Sequence, residues 1–175
     1  MKKKKANRIK IKTYTFIDAS NIIYGASDNR WKVDFNKLIR YLKTRYSSSR
    51  VLYYAGLDNE NIKQIKFYEK LQELGYTLRL VPVKKFKDGK KKADIDSRMT
   101  FEMMRYFSDY DRVVVMTGDG DFYWVLEYLL VKKQDVKLIA HSDSTARELK
   151  QLFSHKFTNI EDIKSLIKLS VKKMR

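Results

Sequence analysis

The chain contains no cysteine, which excludes disulfide bonds, thiolate catalysis and zinc sites built on cysteine. One proline and six glycines among 175 residues leave no Pro- or Gly-rich linker, and no internal repeat divides the sequence. With 43% hydrophobic residues, the chain is large enough to bury one sizeable core. We therefore expect a basic flexible tail over residues 1–12 and a single domain over residues 13–175.

Long apolar runs are also missing. Residues 1–12 are basic and lack the apolar stretch of a signal peptide, and no segment has the apolar length of a membrane span. The sequence has no GxGxxG after a strand, no P-loop and no GxSxG elbow, which argues against dinucleotide cofactors, P-loop nucleotide hydrolysis and α/β-hydrolase chemistry. These absences predict a cytoplasmic protein without a membrane partner.

Negative charge is scarce, since 21 Asp and Glu face 38 Lys and Arg and the formal net charge is +17. This excess favours an anionic partner, and nucleic acid leads because Lys and Arg displace counterions condensed on phosphates. Biased genomic base composition would also enrich lysine, so charge alone leaves both explanations open. The densest basic run surrounds the turn dipeptide Asp88-Gly89 and is either a clamp on a nucleic-acid backbone or a solvated loop. Its lysines are Lys84, Lys85, Lys87, Lys90, Lys91 and Lys92.

Hydrophobic periodicity predicts strands that alternate with helices. The predicted strands cover residues 13–17, 51–55, 77–81, 112–116 and 136–140. The predicted helices cover residues 35–45, 61–74, 93–107, 121–131, 145–153 and 162–169. This alternation favours right-handed crossovers and a mostly parallel sheet covered on both faces, which is an α/β three-layer sandwich. A strand order of 3-2-1-4-5 would make the first and fourth strands neighbours, with the ligand site at their carboxyl ends.

Acidic residues follow the predicted strands and open one predicted helix. Asp18 ends the first strand in FIDASN, and Asp119 and Asp121 follow the fourth strand in TGDGDF. Asp94 and Asp96 lie in KKADID at the start of a helix. Carboxylates gathered within a basic chain indicate a metal site that handles a polyanion, and phosphodiester cleavage is the first hypothesis. Each acid also has a structural explanation, as a helix cap, a turn residue or a partner of the helix dipole.

Two details of these motifs bear on the site. Asn21 can orient Asp18, a metal-bound water or a phosphate oxygen through its side-chain amide. Residues 94 and 96 are about 200° apart on a helix, so only one of Asp94 and Asp96 is expected to face the site. The spacing does not choose between them. A phosphatase of the haloacid-dehalogenase type would need a second Asp where this chain has Ser20, which counts against that hypothesis.

The segments FIDASNIIY, KKADID and TGDGDF, in this order and spacing, resemble the NYN domain in its LabA-like branch, within the PIN-like nuclease superfamily. The resemblance covers roughly residues 13–166 and includes the tail STARELKQLF…FTNIEDI. It implies a PIN-like fold with a five- to six-stranded sheet, a Mg²⁺ or Mn²⁺ site and endoribonuclease activity, with RNA as the partner. It also implies an acidic site that comprises Asp18, Asp94, Asp119 and Asp121 with Asn21 beside them.

The chain departs from the family pattern at two positions. Lys92 replaces the Gly that commonly precedes the helix, and Thr100 stands where many relatives carry a further Asp. The missing acid leaves open whether one or two metals bind. Three functions are therefore carried forward: a metal-dependent endoribonuclease, a non-catalytic RNA-binding regulatory module of the same fold, and, with less support, a nucleotide phosphatase. A homodimer is left open as an assembly.

Overall fold

The structure is a computed structural model that describes residues 11–85, 91–132 and 135–170, with the backbone alone for Tyr24, Lys85, Lys91 and Lys92. Within these residues the chain order is β1 (Thr13–Asp18), α1 (Ala19–Asp28), α2 (Phe35–Tyr46), β2 (Ser48–Leu57), α3 (Ile62–Glu73), β3 (Thr77–Pro82), β4 (Lys84–Lys85), β5 (Lys91–Lys92), α4 (Ile95–Arg105), β6 (Arg112–Met116), α5 (Tyr123–Val131), β7 (Asp135–Ala140), α6 (Arg147–Phe153), β8 (Phe157–Asn159) and α7 (Lys164–Ile167).

Six of the strands form one sheet in the order β3-β2-β1-β6-β7-β8, and every pairing in it is parallel. Strand β1 is central, and its register pairs Ile17 with Met116 of β6. The predicted adjacency of the first and fourth strands is therefore confirmed, and β8 adds a short strand at the edge. Because parallel neighbours end at the same edge, the residues that follow β1 and β6 emerge side by side.

Helices cover both faces of the sheet. Alternating residues of β1 belong to different cores, since Ile17 packs with α1, α2, α3 and the segment 160–167, while Phe16 packs with α4, α5 and α6. All six residues of β1 are buried, as expected for a strand covered on both faces. The predicted fold class, an α/β three-layer sandwich with a mostly parallel sheet, is confirmed.

Several elements differ from the sequence prediction. Helix α1 was not predicted, and its first turn is capped by Asp18. The helix predicted over residues 162–169 is a 3-10 segment, Ile160–Ile163, followed by the single-turn helix α7. The lysine-rich run, for which only a turn at Asp88-Gly89 was predicted, contains a two-stranded antiparallel ladder in which Lys84 pairs with Lys92 and Lys85 with Lys91.

Parts of two predictions lie outside the described residues. Lys87 and Lys90 belong to the undescribed segment 86–90, and residues 1–10 contain most of the predicted basic tail. The division into a tail over residues 1–12 and a domain over residues 13–175 therefore stays a prediction. Across the described part of the chain, every helix is too short or too polar to cross a membrane.

Candidate metal centre

Asp18 is fixed in place at the carboxyl end of β1. The residue is 4% exposed, and both carboxylate oxygens accept hydrogen bonds. Oδ1 accepts from the Ser20 hydroxyl at 3.0 Å and from the Asn21 backbone N–H at 3.3 Å, which caps α1. Oδ2 accepts from the hydroxyl of Thr117 at 3.1 Å, and Thr117 directly follows the neighbouring strand β6. Three donors hold this carboxylate in one orientation, and capping accounts for only one of them.

Asn21 and Thr117 connect the segment after β1 to the segment after β6. Asn21 Oδ1 accepts from the Gly118 backbone N–H at 2.8 Å, and Thr117 Oγ1 accepts from the Asp119 backbone N–H at 3.2 Å. A Cβ atom at position 118 would lie 2.9 Å from Asn21 Oδ1 and 2.9 Å from Thr145 Oγ1, so a larger residue would have to displace these side chains. The two segments therefore form one unit, and the Asp119 backbone is positioned through Asp18.

Three carboxylates converge beside this unit. Asp96, Asp119 and Asp121 each offer one oxygen, and these oxygens all lie within 4.8 Å of one another. Asp119 caps the 3-10 turn Gly120–Phe122 and accepts from the Asp121 backbone N–H at 3.0 Å. Like charges at this separation repel, and a divalent cation or a bound proton relieves the repulsion. We refer to Asp96, Asp119 and Asp121 as the carboxylate cluster.

The pKa of the Asp96 carboxyl is raised by burial and by this crowding. Burial, followed by the charges of Asp119, Asp18, Asp121 and Asp94, raises the pKa of Asp96 from 3.8 to about 6. Each of these causes disfavours the ionised form of Asp96. A strongly perturbed carboxyl that lies in a cleft with other acids is typical of a functional site.

The structure places Asp96, and not Asp94, in the carboxylate cluster. Asp94 is the N-cap of α4, where its side chain accepts from the Ser97 backbone N–H at 3.3 Å. Its backbone angles, φ −82° and ψ 80°, are not helical, so the 200° separation assumed from the sequence does not apply. A role for Asp94 at the site stays a prediction. The sequence could have indicated Asp96, because an N-cap at residue 94 places residue 96 in the first turn of the helix.

The acids border a polar cavity of about 330 Å³ at the carboxyl edge of the sheet. Three of the five residues predicted for the site line this cavity, namely Asp18, Asn21 and Asp119. Asp96 lines it as well. Asp121 is exposed and joins them through the carboxylate cluster. Thr117 was missed as a site residue, although it lies within the TGDGDF segment. No pattern in the sequence revealed that its hydroxyl reaches Asp18.

The ladder of β4 and β5, which we call the lysine hairpin, begins and ends next to this edge. Val83 precedes β4 and lines a second, larger cavity, while Ala93 follows β5 and lines both cavities. Lys84 is exposed, and the backbone of Lys85, Lys91 and Lys92 completes the ladder. The hairpin is therefore anchored at the rim of the acidic cavity.

Comparisons with known proteins found a matching family model and similar sequences and structures. A family model described as the NYN domain matches residues 12–161. The chain is 29% identical over 160 residues to the Low amplitude and bright protein LabA of Synechococcus elongatus, covering 87% of this chain and 85% of that protein. It resembles the crystal structure of a protein of unknown function from Vibrio parahaemolyticus, with a TM-score of 0.77, 25% identity, and coverage of 94% of this chain and 100% of the other. The zinc-bound T5 5'-exonuclease aligns with a TM-score of 0.48 and 15% identity, over 82% of this chain and 60% of the other.

Proposed function

The chain belongs to the NYN domain family, and from this premise we propose that it is a divalent-metal-dependent endoribonuclease. The observation that carries the proposal is the carboxylate cluster, in which three oxygens lie within 4.8 Å beside the fixed carboxylate of Asp18. This acidic group belongs to a chain of net charge +17, so an anionic substrate is attracted to the molecule as a whole. RNA as the substrate, internal cleavage and a cytoplasmic location are parts of this proposal.

The donor set fits a hard divalent cation. Carboxylate oxygens are the ligands that Mg²⁺ and Mn²⁺ prefer, and Mg²⁺ needs only one or two carboxylates directly because it keeps several waters. Asp96, Asp119 and Asp121 would hold the cation, with Asp18 and the predicted Asp94 close by. When bound, such a cation supplies Lewis-acid stabilisation of charge on the phosphate and lowers the pKa of a bound water.

The chain itself supplies orientation. Asp18 is held in one rotamer because Ser20, Asn21 and Thr117 all donate to its carboxylate. Its charge is therefore already oriented toward the cavity before a ligand binds. The Asn21–Gly118 hydrogen bond holds the segments after β1 and β6 at a constant separation. Pre-organised groups of this kind lower a barrier because no reorganisation is needed when charge develops.

The lysine run would hold the RNA backbone. Charged ammonium groups attract phosphates without reading bases, so they add affinity that is independent of sequence. The hairpin's anchorage between Val83 and Ala93, which line the cavities, supports this placement. The proposed backbone contacts are made by Lys84, Lys85, Lys87, Lys90, Lys91 and Lys92.

One observation favours a second candidate, a non-catalytic RNA-binding module. Thr100 lies four residues after Asp96 on α4, so it shares the face of the helix from which Asp96 reaches the carboxylate cluster. A hydroxyl at this position gives a bound cation less negative charge than the acid that many relatives carry. Thr100→Asp should raise cleavage at limiting Mg²⁺ if the missing acid weakens the site.

Cleavage of a labelled single-stranded RNA across a Mg²⁺ and a Mn²⁺ titration tests the proposal, with EDTA as the blank. We expect internal cuts that require the metal and that Asp119→Asn abolishes. Asp109→Asn is the matched control, because Asp109 is exposed and lies in a separate 3-10 turn. RNA that binds the parent and the Thr100→Asp variant, but is cut by neither at any metal concentration, would favour the RNA-binding module.

A further inference from the structure

The second cavity has a volume of about 600 Å³ and lies beside the metal centre. It is bounded by α1, the end of β2, helix α3 and the residues that flank the lysine hairpin. Ile23, Tyr53, Phe67 and Tyr68 provide apolar and aromatic walls. Tyr68 is held in place because its hydroxyl donates to the Gly56 carbonyl at 2.7 Å, and Phe67 packs on Phe35 with ring centres 5.3 Å apart.

This cavity adjoins the acidic one. Ser20, Ala93 and Ile95 line both, so the two volumes share a wall of three residues and open at the same edge of the sheet. Ser20 marks the boundary directly, because its hydroxyl donates to Asp18 Oδ1 at 3.0 Å. A ligand with one group at the carboxylates can therefore place its next group in the larger cavity.

The polar groups of the larger cavity include two side-chain amides. Gln64 Oε1 accepts from the Asp58 backbone N–H at 2.8 Å, and Asn61 Oδ1 accepts from the Gln64 backbone N–H at 3.1 Å. Within the described part of the chain, the side-chain amide nitrogens of Asn61 and Gln64 have no protein acceptor. Among the described residues that line the cavity, the single charged side chain is Asp58.

We propose that this cavity receives the unpaired base of the nucleotide next to the phosphate held at the metal centre. The inference rests on the proposed function, because it takes RNA as the ligand of that centre. A base needs apolar and aromatic surfaces against its faces and hydrogen-bonding groups at its edge, and this lining provides both. Because a base paired in a duplex cannot enter, the cavity selects single-stranded substrate.

The experiment removes bases from a short, fluorescent, single-stranded RNA, one position at a time, and measures binding with Ca²⁺ in place of Mg²⁺. One position should lower the affinity of the parent by roughly 5- to 150-fold when its base is missing. Cleavage of the intact RNA in Mg²⁺ then locates the cut, and the sensitive position should adjoin it. A position-specific loss reports base recognition, because an abasic nucleotide keeps its phosphate.

A matched pair of double variants assigns the loss to the cavity. Gln64→Ala with Phe67→Leu removes an amide and an aromatic wall while keeping most of the apolar volume. Gln72→Ala with Phe101→Leu makes the same changes at exposed positions of α3 and α4. The first pair should lose most of the penalty for the missing base, and the second should keep it.

The outcomes separate the two proposals. Equal penalties along the whole RNA, or the same position-specific penalty in both double variants, would overturn the base-binding cavity even if the RNA is cut. One sensitive position in an RNA that is never cut would support the cavity and contradict the nuclease. If the cavity variant does not fold, the series of abasic RNAs on the parent protein decides alone.

Discussion

Neutralising Asp96 should stabilise the metal-free protein near neutral pH. The pKa of this carboxyl rises from 3.8 to about 6 on folding, through burial and through the charges of Asp119, Asp18, Asp121 and Asp94. The shift corresponds to an upper limit of about 3 kcal/mol at 1.36 kcal/mol for each pKa unit. Because Asp96 is only partly buried, solvent screening reduces the expected gain in Asp96→Asn to about 1–2 kcal/mol.

The pH dependence of this gain follows from the direction of the shift. A carboxyl with a higher pKa in the folded state binds more protons when folded, so its cost is absent below about pH 4. The cost grows as the pH rises from about 4 to about 6 and is complete above pH 7. The difference in unfolding free energy between Asp96→Asn and the parent should follow the same course.

Urea unfolding of both proteins in EDTA, from pH 4 to pH 8, measures this difference. At pH 7.5 the melting temperature of Asp96→Asn should rise by roughly 2–8 °C. Asp109→Asn is the matched control, since Asp109 is exposed and lies in a separate 3-10 turn, so this variant should change little. Addition of Mn²⁺ should stabilise the parent more than Asp96→Asn. A variant that is less stable than the parent at pH 7.5, or a gain that does not depend on pH, would refute the crowding of carboxylates.

Three further changes test the supporting structure. Thr117→Val should cost about 1–3 kcal/mol in urea unfolding, because the hydroxyl that donates to Asp18 and accepts from the Asp119 N–H is lost. The matched Thr13→Val should be neutral or stabilising, since the buried Thr13 hydroxyl has no partner among the described residues. Equal losses of unfolding free energy in the two variants would contradict the special role of Thr117. Tyr53→Phe should likewise leave the melting temperature equal or higher, because its buried hydroxyl is also unpartnered in the described chain, and a clear loss would point to a contact not seen here. Four lysines of the hairpin can be replaced with Ala together: Lys84, Lys85, Lys91 and Lys92. The slope of log K against log salt for RNA binding should then fall by about 0.7 for each lost phosphate contact, and an unchanged slope would mean that the hairpin is a solvated loop.

The sheet could be predicted because its signals are local and repeat along the chain. The apolar run Val113–Val115 marks a strand buried on both faces, and alternation with helices favours parallel pairing. The same rules place Asp18 and Asp119 after neighbouring strands. These rules do not predict the direction of a side chain in a loop. The hydrogen bond from Thr117 to Asp18 was therefore not anticipated.

Other features depend on contacts that are remote in sequence. Helix α1 contains Ser20, Asn21 and Gly25, which favour helices weakly, and it forms because Ile22 and Ala26 pack into the core behind a cap at residue 18. Asp96 was left out of the predicted site because the helical angle allowed only one of Asp94 and Asp96, and the family resemblance favoured Asp94. That angle does not apply, since Asp94 is the N-cap and lies outside the helix. The larger cavity joins segments near residues 20, 53, 67, 83 and 93, and no single stretch of sequence describes it.

Anomalous diffraction from a crystal soaked in Mn²⁺ tests the metal centre most directly. We expect a manganese peak bonded to carboxylate oxygens of the cluster formed by Asp96, Asp119 and Asp121, next to Asp18. The peak should be lost in crystals of Asp119→Asn that were soaked in the same way. A crystal saturated with Mn²⁺ that shows no peak among these carboxylates, or an equal peak in the variant, would contradict a metal-dependent nuclease at this site.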